Sequence, residues 1–290
     1  MENHNRQIKI AVINDMTGFG RCSLAVALPV ISHLKIQCCG VPTAILSNHT
    51  GFESFFIDDY TKHFTAYTDE WKKLGLSFQG ISTGFLGSGE QFRLVRQFIS
   101  DFRTSDTIVA VDPVMGDYGR TYPGYTGDMC QEMKSLAAMA DILTPNLTEA
   151  CILTDTPYHP SGWKMKELDE LLRKLRAMGP EKIVITGIPQ GEFIANVCLN
   201  GDKKLCLTRQ YKVGEQRSGT GDVFSAVIIA DAVNHVDFER SVRRASHFVK
   251  ACILKAVDMD IPTTDGVPFE EVLGRLKAER PEDRKDKKQS

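Results

Sequence analysis

The sequence predicts an α/β fold, a three-layer α/β/α sandwich around a mostly parallel sheet with an antiparallel edge. Three observations carry this reading. Short apolar runs alternate with segments of helical periodicity from Ile8 to Val257. Runs such as Thr107–Val111 are continuously apolar, as strands covered on both faces must be. Asn200-Gly201 lies between two strand-like runs and marks a hairpin between antiparallel neighbours.

The elements follow in order. Ile8–Ile13 reads as the first strand, and Arg21–Leu34 as a helix that Pro29 would kink. Val41–Leu46 and Ile81–Leu86 are the next strands, and Gly89–Phe102 is a helix. After the strand Thr107–Val111 come a helix at Gly127–Ala140 and a very short strand at Ile142–Thr144. Lys164–Met178 is an amphipathic helix with Leu168, Leu171, Leu172 and Leu175 on one face. Ile183–Thr186 is a strand, and Phe193–Leu199 and Lys204–Thr208 form the hairpin. Helices at Thr220–Asn234 and Asp237–Val257 close the fold. With no internal repeat or Pro/Gly-rich linker, residues 1–278 read as one domain. Residues 279–290 are nearly all charged and read as a disordered tail.

Composition narrows the class. In 290 residues, 35 Lys and Arg against 37 Asp and Glu give a net charge of -2, without the broad basic field of a nucleic-acid binder. No apolar run approaches the roughly 18 residues of a membrane span. Met1–Lys9 is polar and does not read as a signal peptide. The eight cysteines show no CxxC pair and sit mostly in apolar stretches, as reduced thiols of a cytoplasmic protein would. Only the adjacent pair Cys38-Cys39 stands out as open to oxidation.

Parallel sheets bind ligands beyond the carboxyl ends of their strands. Six such ends carry polar or glycine residues: Asn14-Asp15, Ser47–Gly51, Gly84–Gly89, Asp112–Asp117, Thr144–Asn146 and Thr186-Gly187. The sharpest signal is Arg217-Ser218-Gly219-Thr220-Gly221-Asp222, a glycine-rich turn opening an almost wholly apolar helix. Backbone N–H groups of Gly219, Thr220 and Gly221 can converge on an anion at that helix start. The blander reading makes Asp222 an N-cap. A carboxylate beside an anion hole suits phosphoryl transfer, with Asp222 taking the proton of an attacking hydroxyl. Asn146-x-x-Glu149 offers oxygen ligands suited to hydrated Mg²⁺, or else a plain capping motif. A Walker loop and the protein-kinase signatures are absent.

With GTGD before an apolar helix and NxxE upstream, the chain resembles the ribokinase superfamily. Ser47-Asn48-His49-Thr50, Gly84–Ser88 and Asp112–Asp117 are similar to stretches of its pyridoxal (pyridoxamine) kinases. The resemblance spans about Ile8 to Val257. It implies a ribokinase-like sandwich with a reduced lid, since Val41–Tyr60 leaves little room for a full one. It also implies ATP- and Mg²⁺-dependent phosphorylation of the 5'-hydroxymethyl group of B6 vitamers, a monovalent cation such as K⁺, and a homodimer. On this chain it implies Asp222 as base, with Gly219, Thr220 and Gly221 as its anion hole. Asp112, Asp117, Asn146, Glu149, Thr186, Gly187 and Thr220 would meet the nucleotide. Asp112, Thr144, Glu149 and Thr186 would meet its cations. Thr50, Gly51, Phe85 and Tyr122 would surround the vitamer ring.

The first strand end departs from the pattern, which often has Ser there. Asn14 or Asp15 would instead meet the ring hydroxyl or pyridine nitrogen, and a carboxylate at Asp15 would lean towards pyridoxamine. His49 reads as either a structural or a substrate-contacting residue, and Arg21 as either solvent-facing or a phosphate partner. Two alternatives stand beside this reading: a hydroxymethylpyrimidine (phosphate) kinase, and a non-catalytic vitamer-binding protein.

Overall fold

The computed structural model describes residues 3–203 and 205–279. The chain runs β1 (Lys9–Phe19), α1 (Ser23–His33), β2 (Gln37–Asn48), β3 (Ile57–Asp59), α2 (Thr61–Lys73), β4 (Gly80–Thr83), α3 (Gly89–Phe102) and β5 (Ile108–Val111). A small hairpin, β6 (Gly116–Asp117) and β7 (Arg120–Thr121), leads to α4 (Gly127–Ala137), β8 (Ile142–Leu143), α5 (Leu147–Leu153) and α6 (Met165–Arg176). Then come β9 (Lys182–Gln190), β10 (Phe193–Asn200), β11 (Cys206–Tyr211), α7 (Thr220–Val233) and α8 (Phe238–Asp258).

Nine strands form one sheet in the order β11-β10-β9-β8-β5-β4-β1-β2-β3. The six from β9 to β2 are parallel. Antiparallel pairing closes both edges, through β10 and β11 at one and β3 at the other, where the sequence announced only the first. Strand alternation divides the interior into two cores. Ala11 and Ile13 of β1 join Phe92, Phe98, Met133 and Leu171 on one face, and Ile10 and Val12 join Val30, Val227 and Val242 on the other. Helices therefore cover both faces, as the continuous apolar strands require.

Two differences from expectation stand out, and β9 likewise runs past the expected end at Thr186-Gly187 to Gln190. β1 and β2 do not stop at Ile13 and Leu46 but pair in parallel as far as Phe19 and Asn48. β4 accompanies β1 only over Ile10–Ile13, so the rest projects as a short ribbon, edged by β3, at the lid position. Polar Asn14 and Asp15 looked like a strand end, yet the strand continues and both are buried. The second difference is α2, which has little aliphatic periodicity. Its aromatic residues Phe64, Tyr67 and Trp71 recur at helical spacing; Phe64 and Trp71 hold it against α3, and Tyr67 donates to the Gly40 carbonyl of β2. Phe64 and Trp71 meet Phe98 edge-on at 6.5 and 6.3 Å between ring centroids. Truncating Phe98 to alanine would cost about 3–5 kcal/mol. α1 contains Pro29 in its interior, as expected.

α7 is buried nearly all round, wedged between the sheet and helices α1 and α8, so its N-terminus is anchored in the core. No helix among the described residues is long and apolar enough to cross a membrane. Of the segment expected to be disordered, only Glu279 is described, ion-paired with Arg240 at 2.7 Å; residues 280–290 lie outside the described residues. All eight cysteines are free thiols, and burial pushes Cys38 up to about 12 and Cys39 upward.

Candidate active site

The glycine-rich turn becomes the start of α7, but Gly219 rather than Asp222 is its N-cap. Gly219 takes the left-handed φ of 77°, and a Cβ there would run into the carbonyl oxygen of Arg21. The first intrahelical bond, from Val223 N–H to the Gly219 carbonyl (2.9 Å), leaves the N–H groups of Thr220 and Gly221 without helical acceptors. Gly221 is exposed and no atom lies within 4 Å of where its Cβ would be. A cradle for an anion is thus set on a rigid, core-anchored helix end. Buried Arg217 holds the turn from behind, donating to the carbonyls of Ile261 (2.6 Å) and Pro262 (3.1 Å).

Asp222, one turn into α7, reaches the middle of β1 and the start of α1. Asn14 Nδ2 donates to its Oδ1 at 3.2 Å, and the Ser23 N–H also donates to its carboxylate. Burial lifts the Asp222 carboxyl to about 6; these two donors and its own N–H hold it down, and the nearby Asp15 charge pushes it further up. Such a group is mostly ionised at pH 7 and still basic enough to take a proton.

A second acidic focus lies at the ends of β5 and β8. Ser225 Oγ donates to Asp112 Oδ2 (2.7 Å) and lies 3.2 Å from Thr144 Oγ1. Ser225 follows Asp222 by three residues and so shares its helix face. Sequence reasoning missed it, although a hydroxyl set within the apolar run Val223–Ala230 was the available signal. Glu149 is buried and completes a full capping box with Asn146. Its Oε2 accepts the Asn146 N–H (2.8 Å) and its Oε1 the Met115 N–H (3.2 Å). Asn146 Nδ2 donates to the Gly116 carbonyl at 2.8 Å. The capping role is therefore real. Burial, reinforced by the neighbouring Asp112 charge, pushes the Glu149 carboxyl well upward, and burial with the Asp222 charge pushes Asp112 upward. Two carboxylates under this strain favour a bound cation.

Among the described residues no three His, Cys, Asp or Glu side chains cluster as metal ligands. A pair of carboxylates with hydroxyls suits Mg²⁺, which keeps several waters and shares phosphate oxygens. Thr186 N–H bonds the Pro145 carbonyl (2.9 Å) beside Asn146, and exposed Gly187 takes φ 71°. Asn14, Ser82, Thr83, Asp112, Asp222 and Ser225 line a cavity of about 20 Å³, room for one water, where Thr83 Oγ1 has no protein partner.

The rim loops are pinned individually. His49 Nδ1 accepts the Gly51 N–H (3.1 Å), so the ring proton sits on Nε2 and is donated to the Thr264 carbonyl at 2.7 Å. Both ring nitrogens are thereby engaged structurally. Thr50 and Gly51 lie exposed on the loop His49 holds. Arg21 neither faces solvent alone nor waits for phosphate: it pairs with Glu270 (2.7 Å) and donates to the Asp265 carbonyl (3.1 Å). The segment 261–270 thus straps three rim loops, a relation no local pattern announces. Phe85 is half-buried beneath the lid, its carbonyl accepting from Thr43 Oγ1 at 2.9 Å. Tyr122 follows the β6–β7 flap and faces Glu149, Asp117, Asp112 and Asp222, whose charges add to burial in raising its hydroxyl. Gln216 latches the flap to the GTGD turn: its amide donates to Asp117 Oδ2 (2.6 Å) and its oxygen accepts from the Tyr118 hydroxyl.

The sequence profile of a family described as phosphomethylpyrimidine kinase matches residues 28–264. The chain belongs to this family. A crystal structure of a candidate phosphomethylpyrimidine kinase from Bacteroides thetaiotaomicron is 35% identical, with a TM-score of 0.92 over 95% of this chain and 96% of that one. An orthorhombic form of that protein, crystallised with pyridoxal, matches at 35% identity and a TM-score of 0.87 over 93% and 96%. The pyridoxine/pyridoxal/pyridoxamine kinase of Bordetella avium is 26% identical over 256 residues, 83% of this chain and 82% of that one. Family membership makes the chain a kinase and agrees with the ribokinase-superfamily resemblance, as does the three-layer sandwich.

Proposed function

We propose that this kinase transfers the γ-phosphoryl group of ATP to the 5'-hydroxymethyl group of pyridoxal, pyridoxamine or pyridoxine. The observation that carries the reading is Asp222, a half-buried carboxylate beside the free N–H groups of the α7 start, oriented from both β1 and α1. The 35% identical relative crystallised with pyridoxal supports the substrate class. Asp222 accepts the hydroxyl proton as the oxygen attacks phosphorus, and the N–H groups of the Gly219-Thr220-Gly221 turn carry charge developing on the transferred group. Phe85 packs on the ring, with Thr50 and Gly51 at its substituents and Tyr122 covering it. Asp117, Asn146, Thr186, Gly187 and Thr220 meet the nucleotide.

Asp112, Glu149, Thr144 and Thr186 would hold Mg²⁺ and a monovalent cation. Bound there, the cations supply neutralisation of phosphate charge. A non-catalytic carrier would need neither Asp222 nor Glu149. The exposed apolar residues Met16, Ile45 and Phe56 on the outer face of the lid ribbon support a homodimer, which light scattering would test. Eight free thiols fit a cytoplasmic setting.

The family's own description supports a second reading, phosphorylation of hydroxymethylpyrimidine or its phosphate. A coupled ADP-release assay with ATP and Mg²⁺ against the three vitamers and both pyrimidines decides between them. Vitamer kcat/KM should exceed that of either pyrimidine. A pyrimidine preference would replace the proposal, and turnover unaffected by Asp222→Ala would overturn the assigned base.

A further inference from the structure

Asn14 and Asp15 stand where a contact with the vitamer ring is expected, yet both side chains are engaged elsewhere. Asn14 Oδ1 accepts two backbone N–H groups, from Asp15 (3.0 Å) and Phe85 (2.8 Å). Turned end for end, the amide would set its NH₂ against two donors, so its orientation is determined. Nδ2 is then the atom facing Asp222 Oδ1, at 3.2 Å. Gly84 makes this possible, because a Cβ there would lie 2.5 Å from the Asn14 amide carbon. Asn14 is only 6% exposed.

Asp15 is also turned inward. Its Oδ2 accepts from Thr17 Oγ1 and its Oδ1 from Ser23 Oγ, both at 2.6 Å. Ser23, held by that bond at a left-handed φ of 56°, gives its N–H to Asp222. Beside its own N–H, Asp222 is therefore held by two donors from separate elements, and each of these is itself fixed by a further partner. Two short polar residues midway along β1, where it leaves β4, do the holding, and the ribbon continues past them.

We infer that Asn14 is a positioning residue that orients the Asp222 carboxylate, that Asp15 acts on the same carboxylate through Ser23, and that neither side chain reads the vitamer ring. The inference rests on Asp222 serving as the base of the proposed reaction. The titratable groups facing Asp222 are Asp15 on β1, Cys22 ahead of α1, Asp112 after β5 and Tyr122 beyond the flap. Burial raises Cys22 to about 12 and Tyr122 still further, so both stay neutral near pH 7. The remaining neighbours are acidic, which leaves orientation and charge stabilisation to Asn14 Nδ2, the Ser23 N–H and the N–H of Asp222 itself.

The test uses Asn14→Ala and Gly84→Ala in the full chain, each checked for an intact thermal transition. Misplacing the base lowers kcat by about 10–100-fold. The factor is the same for pyridoxal, pyridoxamine and pyridoxine, and the vitamer KM stays within about twofold. A ring contact would instead raise KM, unequally among vitamers, with kcat preserved; that result overturns the inference. A second arm needs no substrate. Carboxyl ¹³C NMR, with Asp222 assigned through Asp222→Asn, should show its titration midpoint rise by roughly one pH unit in Asn14→Ala, the loss of one charged hydrogen bond. An unmoved midpoint also overturns it. Should wild-type enzyme phosphorylate no vitamer, the proposed function fails, and the NMR arm still decides the role of Asn14.

Discussion

Two glycines of the same turn make opposite predictions when each becomes alanine. At Gly219 the backbone is left-handed, φ 77°, which costs a non-glycine residue about 1–2 kcal/mol. The added Cβ would also meet the Arg21 carbonyl oxygen and Cys22 Cα, backbone atoms that cannot swing aside. Overpacking of this kind costs about 1–3 kcal/mol more. The sum, about 2–5 kcal/mol, lowers Tm by roughly 3–8 °C in a chain of this size. At Gly221 the Cβ meets nothing within 4 Å and the residue is helical, so the substitution stabilises by about 0.5–1 kcal/mol. The new methyl nevertheless stands at the open helix end where the transferred phosphate must sit. Displacing one such donor costs about 10²–10³ in kcat. Scanning calorimetry and steady-state kinetics on both variants separate the effects. Gly219→Ala should lose stability and activity together; Gly221→Ala should lose activity alone. Wild-type kcat in Gly221→Ala would refute the anion hole, and an unchanged Tm in Gly219→Ala would refute the packing argument.

Other predictions concern the acidic cluster and the rim. Because the Asp222 carboxyl is raised to about 6, kcat/KM should fall as pH drops through 6, and Asp222→Asn should reduce kcat/KM about 10²–10⁴-fold above pH 6 and remove that pH dependence. Carboxyls raised by folding contribute stability below the unfolded value near 4 that is lost as pH rises through the folded one. Without Mg²⁺, Tm should therefore be lower at pH 8 than at pH 5, and Asp222→Asn should narrow that gap; a gap of equal size in the variant would contradict the burial argument. Glu149→Gln leaves one of two backbone N–H groups facing an NH₂, a loss of about 1–3 kcal/mol visible as a lower urea midpoint. His49→Ala releases the 49–51 loop from Thr264, and vitamer KM should rise about fivefold, the worth of one net hydrogen bond, with kcat unchanged.

Much of this architecture is legible in local patterns. Continuous apolar strands, leucines at helical spacing and Asn200-Gly201 each report a constraint acting over a few residues, and the sheet, α6 and the β10–β11 hairpin follow from them. The apolar surround of α7 likewise announces a buried helix with a rigid start. Legibility fails where the decisive contact is remote in sequence. α2 is held by aromatic rings packing on α3 rather than by an aliphatic stripe. The ends of β1 and β2 look polar because their side chains serve a site, so the ribbon they form is hidden. The strap 261–270 bonds Arg21, His49 and Arg217 mostly through backbone carbonyls, which carry no residue signature.

What the sequence by itself determined is the layered α/β fold and the kinds of group at each strand end, since both depend on periodicity and on residue chemistry. Only the tertiary structure decided which way those groups face. Asn14 looks like any polar strand-end residue until Phe85, 71 residues later, donates its N–H to the amide oxygen and Asp222, 208 residues later, accepts from the amide NH₂. An amide has two unlike ends, and which end meets which partner is settled by packing across the sheet.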